Sequence, residues 1–120
     1  MHALLITAHG SRKSQSNEEV MNLAQEIEKI TQDFDCVSYA FIEFTSPSFS
    51  EQVDSLAAHG STRIVVFPYF IAAGTHVLSD LPKLIHQAKT AHPDIEFVLT
   101  PHLGKFRGIK NLILEEVVQR

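Results

Sequence analysis

The sequence predicts an α/β domain in which four parallel strands are covered by helices on both faces. Four short apolar runs alternate with four amphipathic patterns of helical spacing, and the connections between them are short. Such alternation is typical of parallel sheets with right-handed crossovers. At 120 residues the chain has room for one core, so we expect a single domain over residues 1–120.

The first half of the chain contains two strands and two helices with clear start signals. The first strand is predicted over residues 3–8, with His9 opening its exit loop. Residues 16–19 fit a Ser-x-x-Glu capping box, which predicts the start of the first helix. The second strand is predicted over residues 37–44, and a second capping box at residues 48–51 predicts the next helix.

The second half repeats the alternation with weaker signals. Gly60 is expected to end the second helix as a left-handed cap, and the third strand is predicted over residues 63–68. Ser79 or Asp80 can cap the third helix, which puts Pro82 in its first turn. The last two elements are a strand over residues 95–99 and a helix formed by residues from 106 to 117.

Composition and charge narrow the classes of function. The formal net charge is −4 and no block of Lys and Arg occurs, which argues against a nucleic-acid partner. No apolar run approaches the roughly 18 residues that a membrane helix needs. Cys36 is the only cysteine, which excludes a disulfide within the chain and makes the cytoplasm the expected compartment.

Three residues that are distant in sequence are expected to meet at the carboxyl edge of the sheet. If the strand order is 2-1-3-4, the crevice lies between the loops after strands one and three. His9 follows strand one, Glu43 ends strand two, and His76 ends the apolar loop after strand three. Two imidazoles and a carboxylate suit a divalent transition metal, and an incomplete ligand set leaves positions open for chemistry. Either imidazole could also accept protons near neutral pH.

Three segments resemble the class II chelatases, the small sirohydrochlorin cobaltochelatases and the related ferrochelatases and nickelochelatases. The segments are residues 5–12 (LITAHGSR), 41–48 (FIEFTSPS) and 68–82 (PYFIAAGTHVLSDLP). The combination of strand-His-Gly-Ser, Glu before Ser-Pro, and Gly-Thr-His before Asp-Leu-Pro is specific, and the resemblance spans nearly the whole chain. It implies a chelatase-like, flavodoxin-like three-layer sandwich.

The resemblance also implies an activity and a set of roles. The family inserts a divalent metal into sirohydrochlorin without a nucleotide. The metal is a substrate; Co²⁺ is expected, with Fe²⁺ or Ni²⁺ as alternatives. His9 and His76 correspond to the metal ligands, and Glu43 corresponds to the family's acidic residue. Expected contacts to the tetrapyrrole are Ser11, Arg12, Tyr69 and Thr75.

The resemblance further implies how the chain assembles. Larger family members carry two copies of this unit with the macrocycle between them. This chain has one copy, so a homodimer is expected, and the apolar loop of residues 69–73 offers material for an interface or a lid.

Two other functions share parts of the motif. Histidine phosphatases have Arg-His-Gly at a strand end, but here Ala8 precedes His9 and no arginine cluster is available for a phosphoryl group. A non-catalytic metal or tetrapyrrole carrier would use His9 and His76 without accelerating insertion. An insertion assay with sirohydrochlorin and each metal separates these possibilities.

Overall fold

The structure is a computed structural model that describes residues 1–72 and 74–120, and for residues 75–78 it describes the backbone but not the side chains. The elements follow the predicted alternation. They are β1 (His2–Ala8), α1 (Ser14–Ile30), β2 (Cys36–Phe41), α2 (Phe49–Ala58), β3 (Arg63–Pro68), α3 (Thr75–Ala91), β4 (Glu96–Leu99), a short 3₁₀ turn (Leu103–Lys105) and α4 (Ile109–Val118).

The four strands form one parallel sheet in the order β2-β1-β3-β4, which confirms the predicted topology. β1 pairs on one side with β2, where Ala8 lies opposite Phe41, and on the other side with β3, where Thr7 lies opposite Pro68. The exits of β1, β2 and β3 therefore lie next to one another at the carboxyl edge of the sheet.

Helices pack on both faces of this sheet. On one face, Val20 and Ala24 of α1 pack against Ile6, Val37 and Phe41. On the other face, residues from α2 and α3 pack against residues of three strands. That second cluster contains Ala3, Leu5, Ala40, Phe49, Val53, Leu56, Ile64, Val66, Ala88 and Ile95. These layers confirm the three-layer arrangement that the alternating pattern predicts.

The helix starts differ from two of the predictions. The predicted capping box at residues 16–19 lies inside α1, which begins at Ser14 after Lys13, and Lys13 provides no side-chain cap. α3 begins at Thr75, with Gly74 as its N-cap, so Pro82 lies inside the helix and not in its first turn. The backbone of His76 consequently belongs to the first turn of α3, although the sequence predicts a loop there.

The end of β2 and the start of the last helix also differ from the predictions, whereas the predicted signals at both ends of α2 are confirmed. β2 ends at Phe41, three residues before the predicted end. The box of Ser48 and Glu51 is present as predicted, and Gly60 after α2 has a φ of +94°. α4 begins at Ile109, later than predicted, and none of its residues, all of which the structure describes, is buried. Within the described part of the chain, no helix is both long and apolar enough to cross a membrane.

Candidate metal centre

Backbone hydrogen bonds continue past the ends of β1 and β2 and bring two predicted site residues together. The Ile42 amide donates to the Ala8 carbonyl at 3.0 Å, and the Glu43 amide donates to the His9 carbonyl at 2.8 Å. Although β2 ends at Phe41, this pairing extends the ladder by two residues, and it fixes Glu43 beside His9 at the sheet edge.

Gly10 makes this close approach possible. Its φ is +95°, a conformation that L side chains rarely adopt, and a Cβ at this position would collide with the Glu43 carbonyl oxygen. The glycine of the His-Gly-Ser motif is therefore required by the packing of the β1 exit against the β2 exit.

His9 and Glu43 form a pair of potential metal ligands, which from here on is called the donor pair, and the pair is open to solvent. The distance from His9 Nε2 to Glu43 Oε2 is 3.7 Å, and both side chains are nearly half exposed. This distance is too long for a hydrogen bond. Ligand bonds of about 2.1 Å at tetrahedral to trigonal angles put two donor atoms about 3.4–3.6 Å apart, so one divalent metal fits between the two atoms after a small adjustment.

Two predicted residues lie outside the described side chains. Thr75 and His76 occupy the first turn of α3, for which the structure describes the backbone only. Among the described side chains, no group of three or more His, Cys, Asp and Glu residues could hold a metal ion. The described part of the site therefore provides one imidazole and one carboxylate, and the role of His76 stays a prediction.

The loop after β1 is closed by Asn17, a residue within the predicted capping box of residues 16–19. The Asn17 side chain accepts a hydrogen bond from the Ser11 amide at 3.0 Å and donates to the Ser11 carbonyl at 2.7 Å. The Ser11 hydroxyl accepts from the Lys13 amide at 3.0 Å. The Ser11 and Lys13 amides are therefore hydrogen-bonded within the loop, and Arg12, an expected contact to the tetrapyrrole, adds a cationic side chain there.

Tyr69 follows β3 at the same edge of the sheet. Its amide donates to the Thr7 carbonyl at 2.7 Å, and its half-exposed ring contacts Phe67 at a centroid distance of 6.2 Å. Together with residues of α1 the ring lines an open groove. The α1 residues of this groove are Glu19, Asn22, Leu23 and Glu26. Contact between Tyr69 and a substrate stays a prediction.

Phe44 belongs to the site but is not among the predicted site residues. Its ring lies 5.7 Å from the His9 imidazole between centroids, and the Arg12 guanidinium carbon lies 5.0 Å from its centroid. The predicted second strand ends at this phenylalanine, because the turn signal of the sequence, Thr45-Ser46-Pro47, comes only after it.

An open α/β sheet with a donor pair at the exits of two adjacent parallel strands defines a ligand-binding protein of the doubly wound class. Comparison with known proteins identifies the family. Residues 3–120 match the CbiX family model, and the chain belongs to the CbiX family.

Similar proteins agree with this assignment. The chain is 32% identical to the sirohydrochlorin cobaltochelatase of Sulfurisphaera tokodaii over 98% of this chain and 92% of that protein. A crystal structure of a CbiX protein from Marinobacter aquaeolei VT8 matches with a TM-score of 0.79 and 25% identity, and the match covers both chains completely.

A larger protein shares the fold. The cobalt complex of the sirohydrochlorin chelatase SirB from Bacillus subtilis subspecies spizizenii matches with a TM-score of 0.84 at 19% identity. The match covers 98% of this chain and 50% of SirB. At this identity the likeness shows the fold alone.

Proposed function

We propose that this protein is a chelatase that inserts a divalent metal into sirohydrochlorin, with cobalt as the expected metal and iron or nickel as alternatives. The observation that carries the proposal is the donor pair of His9 and Glu43, 3.7 Å apart at the carboxyl edge of the sheet. Membership of the CbiX family and the name of the Sulfurisphaera tokodaii relative supply the substrate.

The site residues suit the chemistry of insertion. A metal must lose water, bind above the macrocycle and replace two pyrrole protons. In this proposal His9 and His76 bind the incoming metal, and Glu43 accepts a pyrrole proton or orients the metal toward the ring. The remaining pyrrole protons pass to one of the two imidazoles and to solvent water. Nitrogen and oxygen donors that leave coordination positions open suit the delivery of a metal, because a complete ligand set would retain it. Solvent exposure of both described donors is consistent with metal entry and proton release.

The rim of the site suits an anionic macrocycle. Sirohydrochlorin carries carboxylates around its ring, and Arg12 lies on the loop that begins at His9. Guanidinium groups bind carboxylates with two parallel hydrogen bonds. We assign Arg12 a role in holding the substrate, with Ser11, Tyr69 and Thr75 as further contacts.

We further propose that the active form is a homodimer. α4 exposes five large apolar side chains, and SirB, which shares the fold, is about twice as long as this chain. A second copy of this chain would bury the apolar surface of α4 and would give an assembly of the size of SirB. The proposed unit of assembly is one chelatase-like domain over residues 1–120, and the proposed compartment is the cytoplasm, in line with the free thiol of Cys36.

The test is an insertion assay on the full chain with sirohydrochlorin and Co²⁺, Fe²⁺ or Ni²⁺, followed by absorbance and corrected for the spontaneous rate. His9→Ala, Glu43→Gln and His76→Ala should each lower the rate by about 100-fold or more, as expected for loss of a ligand or a proton acceptor. Circular dichroism should show an unchanged fold, because His9 and Glu43 lie at an exposed edge outside the core.

His86→Ala is the matched control, since His86 is an exposed histidine on α3 and its change to alanine removes the same side chain. It should retain the parent rate. A folded parent protein that binds Co²⁺ but does not accelerate insertion would indicate a metal carrier. Full activity of His9→Ala would overturn the assignment of this site.

A further inference from the structure

Phe44 has a backbone conformation that does not favour a phenylalanine. Its φ is +71°, and the Thr45 amide donates across it to the Glu43 carbonyl at 2.9 Å. A bond between residues two apart around a positive φ is a γ-turn of the rare, strained kind. Glycine adopts such a φ without cost, whereas a residue with a Cβ does not.

Burial in the core does not explain why a phenylalanine occupies this position. Phe44 is 53% exposed, whereas Phe41, three residues earlier, is 1% exposed. An apolar ring that is held in a strained turn and left half in water adds little to folding. Strained residues of this kind tend to occur at functional sites, where the surroundings maintain the conformation.

The contacts of the Phe44 ring point to what it does. The ring packs against the His9 imidazole at 5.7 Å with an angle of 54° between the ring planes. It also lies 5.0 Å from the Arg12 guanidinium carbon, within the range of a cation–π contact. One ring thus touches both a proposed metal ligand and the cation on the same loop, and the residue before it is Glu43.

We propose that Phe44 is a positioning residue for metal insertion, which orients the His9 imidazole beside Glu43 and holds Arg12 at the rim for a carboxylate of the macrocycle. This inference rests on the proposed function. The imidazole and the guanidinium both have free rotation about their side-chain bonds, and contact with a fixed ring reduces that freedom before the substrates arrive. The γ-turn fixes the ring because the ladder of His9 and Glu43 anchors its first residue.

Phe44→Gly separates positioning from a structural role. It removes the ring and relieves the positive φ, so the thermal midpoint should stay the same or rise. The KM for sirohydrochlorin should rise about two- to fivefold from loss of the cation–π contact. The dissociation constant for Co²⁺ alone should rise about two- to tenfold from loss of the aromatic contact with His9. Phe44→Tyr keeps the ring and should restore both values.

A double-mutant cycle tests whether the ring acts through Arg12. Phe44→Leu keeps apolar bulk without an aromatic face. As a single substitution it should raise KM, and it should raise KM little further in a protein that already carries Arg12→Ala. Phe34→Leu is the matched control. Phe34 packs against the core cluster under α1, so its change should lower stability and leave KM and Co²⁺ binding unchanged.

The outcomes distinguish this inference from the proposed function. If the parent protein inserts metal and Phe44→Gly lowers the thermal midpoint without changing KM or Co²⁺ affinity, Phe44 is a structural residue and the inference is wrong. If the parent protein does not insert metal, the proposed function fails, and the titration of Co²⁺ alone still tests whether Phe44 orients His9. Additive effects of Phe44→Leu and Arg12→Ala would contradict action through Arg12.

Discussion

α2 and α4 are both ten residues long, but they differ in their N-terminal caps and in how many residues they bury. α2 has a complete capping box and buries three residues, Phe49, Val53 and Leu56. α4 has no side-chain cap and no buried residue among its fully described positions, although six of its ten residues are Ile, Leu or Val. An isolated helix of this length is marginal in water. The comparison indicates that the sheet stabilises α2, whereas the apolar surface of α4 stays exposed in the single chain and would be covered in the proposed homodimer.

The largest expected effect concerns the apolar row of α4. Ile109, Ile113 and Val117 follow one another at a spacing of four residues, and Ile113 is 51% exposed. Ile113→Asp should convert a dimer into a monomer, because an interface excludes an unpaired charge. Sedimentation velocity at micromolar concentration measures the change, and the insertion rate should fall with it.

Glu115→Gln on the same helix is the control for this experiment, since it alters a polar, exposed position and should leave the dimer intact. A parent protein that sediments as a monomer and is fully active would refute the assembly. The exposed row of α4 would then have no role in catalysis.

The second effect compares one leucine from each helix. Leu56 of α2 is 4% exposed and Leu112 of α4 is 55% exposed. Leu56→Ala should cost about 2–5 kcal/mol, as core truncations do. Leu112→Ala should cost less than about 0.5 kcal/mol at dilutions where the monomer dominates.

Urea unfolding at two protein concentrations tests this pair of leucines. For Leu112→Ala the cost should grow with concentration, because dimerisation stabilises only the folded chain. A cost for Leu112→Ala that is large and independent of concentration would show that α4 packs on its own subunit.

The third effect concerns the N-terminal caps. The Ser48 hydroxyl accepts from the Glu51 amide at 3.2 Å, so Ser48→Ala should cost about 1 kcal/mol. A serine at the N-cap position of α4 should not stabilise that helix in the same way. Gly108, its N-cap residue, has φ −87° and ψ −1°, a helical conformation, whereas a capping serine needs an extended one.

Gly108→Ser meets no atom within 4 Å of the added Cβ, so the substitution is free of a clash. It should raise the unfolding midpoint no more than Gly108→Ala does, because both substitutions reduce the freedom of the unfolded chain to a similar extent. A gain for Gly108→Ser that exceeds the gain for Gly108→Ala by as much as Ser48→Ala loses would show that α4 lacks only a cap and not a partner.

Local signals predicted those parts of the fold that depend on local chemistry. The third strand, residues 63–68, matches β3 residue for residue, and the box at Ser48 matches the start of α2. Both signals act within a few residues, through an apolar run or through reciprocal hydrogen bonds of one turn. The alternation of these elements predicted a parallel sheet, and the order 2-1-3-4 considered for it is the order observed.

Contacts that a local sequence pattern does not encode account for the predictions that were wrong. The sequence predicts that Asn17 lies in a capping box, but its side chain instead forms hydrogen bonds with the Ser11 backbone and closes the loop after β1. Phe44 was counted in a strand, but the ladder to His9 ends in a turn there. The proximity of His9 and Glu43 could be predicted, because parallel strand order alone places their exits side by side. The turn at Phe44 could not be predicted, since its backbone conformation depends on the ladder to His9 as well as on the hydrogen bond from Thr45 to Glu43.

The smallest expected effect is a pH dependence of stability that arises from the cap of α2 and has no counterpart in α4. Hydrogen bonds from the Ser48 amide and the Ser48 hydroxyl lower the pKa of Glu51 below its ordinary value of 4.5. Because the folded pKa is the lower one, the carboxylate stabilises the fold fully above pH 4.5. That contribution disappears as the pH falls through the pKa of Glu51 in the folded protein.

Glu51→Gln should therefore have a lower thermal midpoint than the parent at about pH 7, and the difference should shrink toward about pH 3. Glu116→Gln in α4, which removes an exposed ion pair with Arg120, should show a much smaller difference at either pH. A constant difference for Glu51→Gln across this range would mean that the charge of Glu51 does not contribute to the cap.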